Sequence, residues 1–464
     1  MSTKKGIHFE VSERKLLLRI FDILVIFTGL FIIGTSFDFD YFTITKENWT
    51  WSLVLAIYIL IFGTIFELYD LKQASLLDAT FKNIILTASL TVLLYLLTPF
   101  FTPFLPDKRI QIIYFYLAII STLFIWRLIY IYFIESPRFY KKGIIIGAFD
   151  NAKSILDILK VHDQNYKIIG YVNSESIELL DLGEDKLKSC KIDDISELIK
   201  EEGVSEIIIA IDNLETITPE IYNKLILLLE QGYKIREYAQ LYEDLSKRVP
   251  VQFVGKDFYK YFPFSRSNQN KLYLFFHRMM DVLFSVMGIT LGLFLLPVVL
   301  LGNLLGNRGP LFYKQERVGL NGEPFKIIKF RTMIKNAESD GVQWATKDDV
   351  RVTSFGRIMR NLRIDEIPQF INVLKGEMSM IGPRPERPHF VKELSELIPF
   401  YETRHSIKPG LSGWAQVNSR YGDSIDDSLE KLQYDLYYIK HRSFFLDTVV
   451  IIKTFSTVIY YRGQ

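Results

Sequence analysis

The feature that most constrains this chain is a series of long apolar runs. Four fill the first third, centred on Leu17–Ile33, Leu53–Phe66, Ile84–Leu97 and Ile110–Ile134, and another, Met279–Leu305, lies far downstream. A helix needs about 20 mainly apolar residues to cross a bilayer. The second and third runs approach that length only with Trp49, Trp51, Thr80 and Phe81 included. Trp49, Trp51 and Tyr95 suit interfacial positions. The alternative is a buried helical bundle in a soluble protein. Four runs in series, with 49% hydrophobic residues and a mean hydropathy of +0.15, favour the membrane.

Charge orients the bundle. Lys4, Lys5, Arg14, Lys15 and Arg19 precede or open the first run, and Arg138, Lys141 and Lys142 follow the fourth. The connecting stretch Phe37–Asn48 is mostly acidic, so the positive-inside rule puts both ends of the bundle in the cytoplasm. Asp22 and Arg127 fall within apolar runs. Either marks a polar pathway or is an inward-facing or snorkelling residue. The net charge of +2 argues against nucleic acid as the main partner. A lone cysteine, Cys190, rules out an internal disulfide framework. No cleavable signal peptide is expected, because the first run continues too long and lacks a small-residue cleavage site.

Residues 141–262 change character. Strand-like runs at Gly143–Ala148, Lys167–Val172, Glu206–Ile211 and Lys234–Tyr238 alternate with helical stretches at Asn151–Lys160, Ile195–Glu202 and Glu220–Gln231. That alternation predicts a parallel doubly wound sheet, a Rossmann-like domain. Gly147 stands where a dinucleotide fingerprint would begin, yet Phe149 and Asn151 occupy positions where small residues admit a pyrophosphate. A structural or regulatory role is therefore expected for this domain.

The chemistry-bearing stretch is Arg360–Gly376. Asp365 and Glu366 sit where a helix is expected to begin, with Asp365 as N-cap, Pro368 in the first turn and Gly376 as the stop. Ile367, Phe370, Ile371 and Leu374 recur at helical spacing. Arg357, Arg360 and Arg363 recur every three residues and are expected on one helical face. Arg384 follows between Pro383 and Pro385. An acid pair among arginines reads as a site for phosphoryl chemistry on a metal-bound phosphate, since arginine suits bidentate phosphate binding. The bland alternatives are helix capping for the acids and a solvated face for the arginines. Among the six histidines none has metal spacing. His405 and His441 are expected at the surface.

The C-terminal part resembles the bacterial sugar transferase family, the monotopic phosphoglycosyl transferases that start polysaccharide assembly on polyprenyl phosphate. The matching blocks are Gly309-Pro-Leu-Phe-Tyr-Lys-Gln-Glu-Arg-Val-Gly319, Phe325-Lys-Ile-Ile-Lys-Phe-Arg-Thr-Met333, Arg363-Ile-Asp-Glu-Ile-Pro-Gln369, Met380-Ile-Gly-Pro-Arg-Pro-Glu386 and Lys408-Pro-Gly-Leu-Ser-Gly-Trp-Ala-Gln-Val-Asn418. They occur in family order over residues 272–464. The layout resembles the large branch of the family. The resemblance implies transfer of a sugar-1-phosphate from a UDP-sugar to undecaprenyl phosphate, with release of UMP. Asp365 matches the family's nucleophile, and Glu366 its neighbour at a Mg²⁺ site. Arg360 and Arg384 match arginines near the phosphates. Lys329 and Arg331 fall in a matching block.

A straight crossing by the Met279–Leu305 run would put this chemistry outside, whereas nucleotide sugars are made inside. Pro297 interrupts that run and predicts a kink. A re-entrant helix at about 272–305, which the resemblance also implies, satisfies both facts. Arg278 and Asp281 at its start would anchor it at the headgroups. Downstream, Phe390–Arg404 and Ser428–Arg442 read as amphipathic helices, and Phe444–Tyr461 as a surface-docked one.

The expectation is a multidomain membrane protein. Residues 1–140 form a four-helix transmembrane bundle, 141–265 a Rossmann-like α/β domain, and 266–464 an α-rich mixed catalytic domain with the re-entrant helix. It would sit in the bacterial inner membrane with its catalytic domain on the cytoplasmic face. Its partners would be lipid, a UDP-sugar and polyprenyl phosphate, with a homodimer compatible. Two other readings stay open: a membrane-anchored NAD-dependent sugar-modifying enzyme built on the middle domain, and a non-enzymatic membrane scaffold.

Overall fold

The computed structural model describes residues 11–37, 39, 41–42, 46–74, 77–134, 141–147, 149–163, 166–172, 180–182, 185–189, 192–210, 218–251, 270–334, 337, 349–419, 422 and 424–459. Lys4, Lys5, Arg138, Cys190 and residues 262–269 and 338–347 lie outside the described residues. The chain divides into two compact units, Met1–Leu241 and Tyr242–Gln464.

The first unit opens with α1 (Val11–Ser36), α2 (Trp49–Ile65), the short α3 (Leu71–Ala74), α4 (Leu77–Leu97) and α5 (Ile110–Ile129). The stretches Glu13–Ser36, Leu77–Leu97 and Ile110–Tyr132 are long and apolar enough to cross a membrane. The expected second span is shorter, a helix of 17 residues. These helices are apolar on both faces. Leu18, Ile26 and Leu30 of α1 are buried, while Leu16, Leu24 and Phe31 are more than half exposed. A helix apolar all round suits a lipid surround. Inside the bundle Tyr41, Phe42, Tyr95 and Phe115 form an aromatic cluster. Tyr95 is fully buried and donates a hydrogen bond to the Trp51 carbonyl at 3.2 Å, so it belongs to the core and not to an interfacial belt.

Asp22 and Arg127 both face inward. Arg127 Nη2 donates to Asp22 Oδ2 at 2.7 Å and ties α1 to α5, with both side chains withdrawn from solvent. Removing one partner would leave an uncompensated buried charge, at a cost of about 3–5 kcal/mol.

A six-stranded sheet follows. Its strands are β1 (Lys141–Gly147), β2 (Tyr166–Val172), β3 (Leu180–Leu182), β4 (Asp185–Ser189), β5 (Glu206–Ala210) and β6 (Lys234–Glu237). The order is β3-β4-β2-β1-β5-β6. All neighbours are parallel except β3 and β4, a hairpin that the sequence pattern did not announce. Helices α6 (Phe149–His162), α7 (Ile195–Glu202) and α8 (Pro219–Glu230) alternate with the strands. The runs Ile144–Ile146 and Ile207–Ile209 are almost uniformly apolar because parallel strands are covered on both faces. Gly147 has φ +149°, and a Cβ there would lie 2.1 Å from the Ala210 carbonyl oxygen, so only glycine fits between these strand ends. The Tyr171 hydroxyl donates to the Gly147 carbonyl.

The second unit is built along the helix Lys271–Gly302. Asn270 caps it by accepting from the backbone N–H groups of Leu272 and Tyr273. The helix continues through Pro297 and passes into a π-helical turn, Asn303–Asn307. Glycines on one face admit the rest of the unit. A Cβ at Gly288 would lie 2.4 Å from the Phe370 ring, one at Gly292 2.6 Å from Ile367, and one at Gly302 2.1 Å from the Phe355 ring. Arg278 and Asp281 point into the protein and not toward headgroups. The Arg278 guanidinium donates to the carbonyls of Val373 and Leu374 at 2.7 Å each, satisfying the open end of the helix Gln369–Lys375. Asp281, 3% exposed, accepts from Ser379 Oγ and Met380 N–H.

Phe312–Val318 and Pro324–Phe330 pair as an antiparallel hairpin, β7 and β8. Helices Ser354–Asn361, Gln369–Lys375, Pro388–Leu397, Trp414–Asn418, Ile425–His441 and Phe444–Ile459 complete the unit, with a parallel two-stranded pair, β9 (Ser379–Ile381) and β10 (Gly410–Ser412). The expected helix Phe390–Arg404 ends early. Phe400 takes a left-handed φ of 61°, and Tyr401–Ser406 continues as a 3₁₀ turn. His405 is half-buried there, contrary to expectation, whereas His441 is exposed and pairs with Glu243 at 2.6 Å.

Candidate active site

The acid pair is presented by a reversal of the chain. Helix Ser354–Asn361 starts at Thr353, whose hydroxyl accepts from Gly356 N–H at 2.9 Å. It stops before Arg363, which has φ 54°. Arg363 therefore does not continue the face carrying Arg357 and Arg360, as the spacing predicted; it is the corner itself. A single 3₁₀ turn, Ile364–Glu366, follows, and the next helix begins only at Gln369 with Pro368 in the N-cap position. Asp365 thus stands outside the helix and does not cap it. Gly376, with φ 87°, ends the helix as expected.

Asn372 holds this turn against β8. Fully buried, it donates to the Lys326 carbonyl at 2.8 Å and accepts from Ile328 N–H at 3.1 Å. The amide thus replaces a missing strand neighbour and sets the register that carries Lys329 to the acids. Lys329 Nζ reaches Glu366 Oε1 at 3.3 Å, Arg384 Nη2 reaches the same oxygen at 2.9 Å, and Arg363 Nη1 reaches Oε2 at 3.3 Å. Arg360 lies close, its Nε donating to Thr332 Oγ1 at 3.0 Å.

The two acids live in different environments. Burial works to raise the Glu366 carboxyl, but Arg384, Lys329 and Arg363 outweigh it and hold Glu366 well below the usual carboxylate range. Burial and the Glu366 charge push Asp365 up to about 6, against the opposing pull of Lys329, Arg360 and Arg384. Asp365 is 8% exposed, and among the described residues no donor hydrogen-bonds to its carboxylate. Burial lowers Lys329, partly offset by Glu366. Glu366 is thus the fixed anion that gathers cations, while Asp365 keeps its oxygens for something else.

Arg331, grouped with the site by sequence, is turned the other way. Its Nη2 donates to the Asn307 carbonyl at 2.9 Å, Asn307 Nδ2 donates back to the Arg331 carbonyl at 2.7 Å, and the guanidinium packs beneath Gly309. It joins the end of the long helix to β8. Pro297 lies within that helix and makes none of these ion pairs.

Arg384 projects from a loop held through its carbonyls. Pro383 O accepts from Gly410 N–H at 2.8 Å, Arg384 O from Arg404 Nη2 at 3.2 Å, Pro385 O from Arg317 Nη1 at 3.1 Å, and Glu386 O from Val318 N–H at 2.9 Å. Proline has no N–H to offer, so carbonyls are the available handles. Sequence reading grouped Arg363 with the acids but put it on a helical face, and it missed Arg317, Arg404 and Asn372 as parts of this assembly. These last three meet the site through the fold, from positions distant in sequence.

For a divalent cation, the donors here are the Asp365 and Glu366 carboxylates. No group of three or more His, Cys, Asp or Glu side chains is gathered among the described residues. Two carboxylates fit Mg²⁺, which takes one or two carboxylates and completes its shell with water and phosphate oxygens. They do not make a zinc site.

The bacterial sugar transferase family model matches residues 272–461, and a CoA-binding domain model matches residues 64–216. The chain is 47% identical over 222 residues to UDP-N-acetylgalactosamine-undecaprenyl-phosphate N-acetylgalactosaminephosphotransferase of Aeromonas hydrophila, covering 47% of this chain and 51% of that protein. It is 37% identical over 194 residues to UDP-glucose:undecaprenyl-phosphate glucose-1-phosphate transferase of Klebsiella pneumoniae, covering 41% of this chain and 42% of the relative. The uncharacterized sugar transferase EpsL of Bacillus subtilis (strain 168) is 42% identical over 158 residues, which is 33% of this chain and 72% of that smaller protein. The match spans about half the length of the first two relatives.

Proposed function

We propose, from the premise that the chain belongs to the bacterial sugar transferase family, that it moves a sugar-1-phosphate from a UDP-sugar to undecaprenyl phosphate and releases UMP. The observation that carries this reading is the divided acid pair: Glu366 engaged by three cations, and Asp365 beside it with no hydrogen-bond donor among the described residues. The names of the relatives support the substrate classes.

The reaction proceeds in two displacements. An Asp365 carboxylate oxygen attacks the sugar-bearing phosphorus, the bond from that phosphorus to the UMP oxygen breaks, and UMP leaves. The sugar phosphate is then held as an acyl phosphate. An oxygen of polyprenyl phosphate attacks the same phosphorus and restores the carboxylate. Arg384, Arg360 and Lys329 neutralise and align the phosphates, which is most of what phosphoryl transfer asks of a protein. Mg²⁺, held by Asp365 and Glu366, would supply further neutralisation of phosphate charge. The product would begin an exopolysaccharide, capsule or O-antigen.

The long helix is read as re-entrant, and its neighbours support that. Residues near its start, Arg278 and Asp281, hold Val373, Leu374 and Ser379. Its end, Gly302–Asn307, meets Phe355 and Thr353. A straight crossing would drag the polar helix Ser354–Asn361 through the bilayer, where unpaired polar groups are costly. On this reading the site faces the cytoplasm from the inner membrane, and the α/β domain is structural or regulatory.

The test omits the lipid. Enzyme, Mg²⁺ and UDP-sugar are mixed and quenched rapidly. Up to one equivalent of UMP is expected, with a matching mass increase on the peptide containing Asp365. Asp365→Asn should show neither, because an amide is a poor nucleophile. A burst retained in that variant, or a modified peptide elsewhere, would reduce Asp365 to a ligand or a structural acid.

A further inference from the structure

The arginine loop is held in part by a second arginine, Arg404, which meets it at the Arg384 carbonyl. Arg404 is 4% exposed and 20 residues downstream of Arg384. Its Nη1 donates to the Tyr401 hydroxyl at 2.6 Å, and its Nη2 to Asp435 Oδ2 at 2.7 Å and to the Arg384 carbonyl at 3.2 Å. The guanidinium also lies 5.1 Å from the centroid of the Tyr401 ring. Asp435 is 1% exposed and belongs to the helix Ile425–His441, so the planar fork ties that helix to the loop. The Arg384 side chain itself is 43% exposed and meets Glu366 at 2.9 Å. The direction of a side chain this exposed depends in part on the backbone from which it springs.

We propose that Arg404, fixed by Asp435 and Tyr401, is a positioning residue: it acts through the Arg384 carbonyl to aim the Arg384 guanidinium at Glu366 and the substrate phosphate. This rests on the functional reading above. A rigid, planar donor set is needed, because one group must serve a hydroxyl, a carboxylate and a carbonyl at once. Lysine keeps the charge as a single point on a flexible stem and cannot hold all three.

The test is a double-mutant cycle, which separates a residue acting through a partner from one that merely supports the fold. Arg404→Lys, Arg384→Ala and the double variant are compared in the full chain by UMP release, with thermal unfolding followed in parallel. Arg404→Lys should lower kcat/KM about tenfold in the wild-type background and less than twofold in Arg384→Ala. Tyr401→Phe, which keeps the ring and removes one acceptor, should give a smaller loss with the same disappearance in Arg384→Ala, and serves if Arg404→Lys does not fold. UDP affinity measured around the same cycle serves if Arg384→Ala turns over too slowly. Equal losses in both backgrounds would overturn the proposal, since a general weakening of the fold is indifferent to Arg384. A wild-type chain that releases no UMP from any UDP-sugar would overturn the functional reading and this inference with it.

Discussion

Arg384 stands between two prolines with its carbonyl held and its fork turned to Glu366. Arg384→Lys keeps the charge and loses the fork, so transition-state stabilisation should fall by roughly 2–3 kcal/mol; an unchanged kcat/KM would remove the residue from the site. His405 makes a different prediction. Burial and the neighbouring Arg404 push it from 6.5 down to about 4. The unfolded chain therefore binds this proton first. The stabilisation is present above about pH 6.5 and is lost progressively as pH falls from there through about 4. Unfolding in detergent should show a loss on the order of 1–2 kcal/mol between pH 7.5 and 5 from this group, and His405→Gln should flatten that slope. At this scale the sequence made the acids legible as a pair, because Asp-Glu beside arginines is visible without a fold. Their division of labour was not, since it comes from Lys329 and Arg384, 37 and 18 residues from Glu366.

Elements were legible wherever burial imposed a period. The alternating strands and helices of the α/β sheet and the stop at Gly376 follow from local pattern. What escaped was backbone geometry without a pattern: the left-handed Arg363 and Phe400, which cut two expected helices short. The glycine face of Lys271–Gly302 was also hidden, because an apolar run says nothing of which side must be bare. Gly288→Ala tests that face. The added methyl would lie 2.4 Å from the Phe370 ring, on the helix that follows the acid turn. Overpacking of this kind costs about 1–3 kcal/mol. A lower unfolding temperature and reduced UMP release are expected together; wild-type values in both would mean that Phe370 simply turns aside.

At the scale of the whole molecule, the apolar runs and the change of composition after residue 140 suggest where membrane and soluble parts divide, but nothing local marks where the compact C-terminal unit starts. That unit begins at Tyr242, with its first stretch already inside it. The Tyr242 hydroxyl donates to Gln433 Oε1 at 3.2 Å, Val249 N–H to the Gln433 carbonyl at 3.0 Å, and Trp414 Nε1 to the Lys247 carbonyl at 3.1 Å. Glu243 takes Lys440 at 2.8 Å, and Val249 and Val251 are buried to within 0% and 3% exposure. No local pattern marks this segment as belonging forward in the chain, because its partners lie more than 160 residues away. A truncated chain of residues 232–464 keeps all of these contacts and the whole helix Tyr238–Ser246, whereas one of residues 266–464 loses them. Burial of each valine contributes about 1.5–3 kcal/mol, so the shorter chain should unfold at clearly lower temperature. The longer chain should bind membranes and release UMP without the α/β domain. Equal stability of the two would show that residues 242–251 lie on the unit without supporting it. A well-folded 232–464 chain that released no UMP would make the N-terminal unit part of the catalytic machinery.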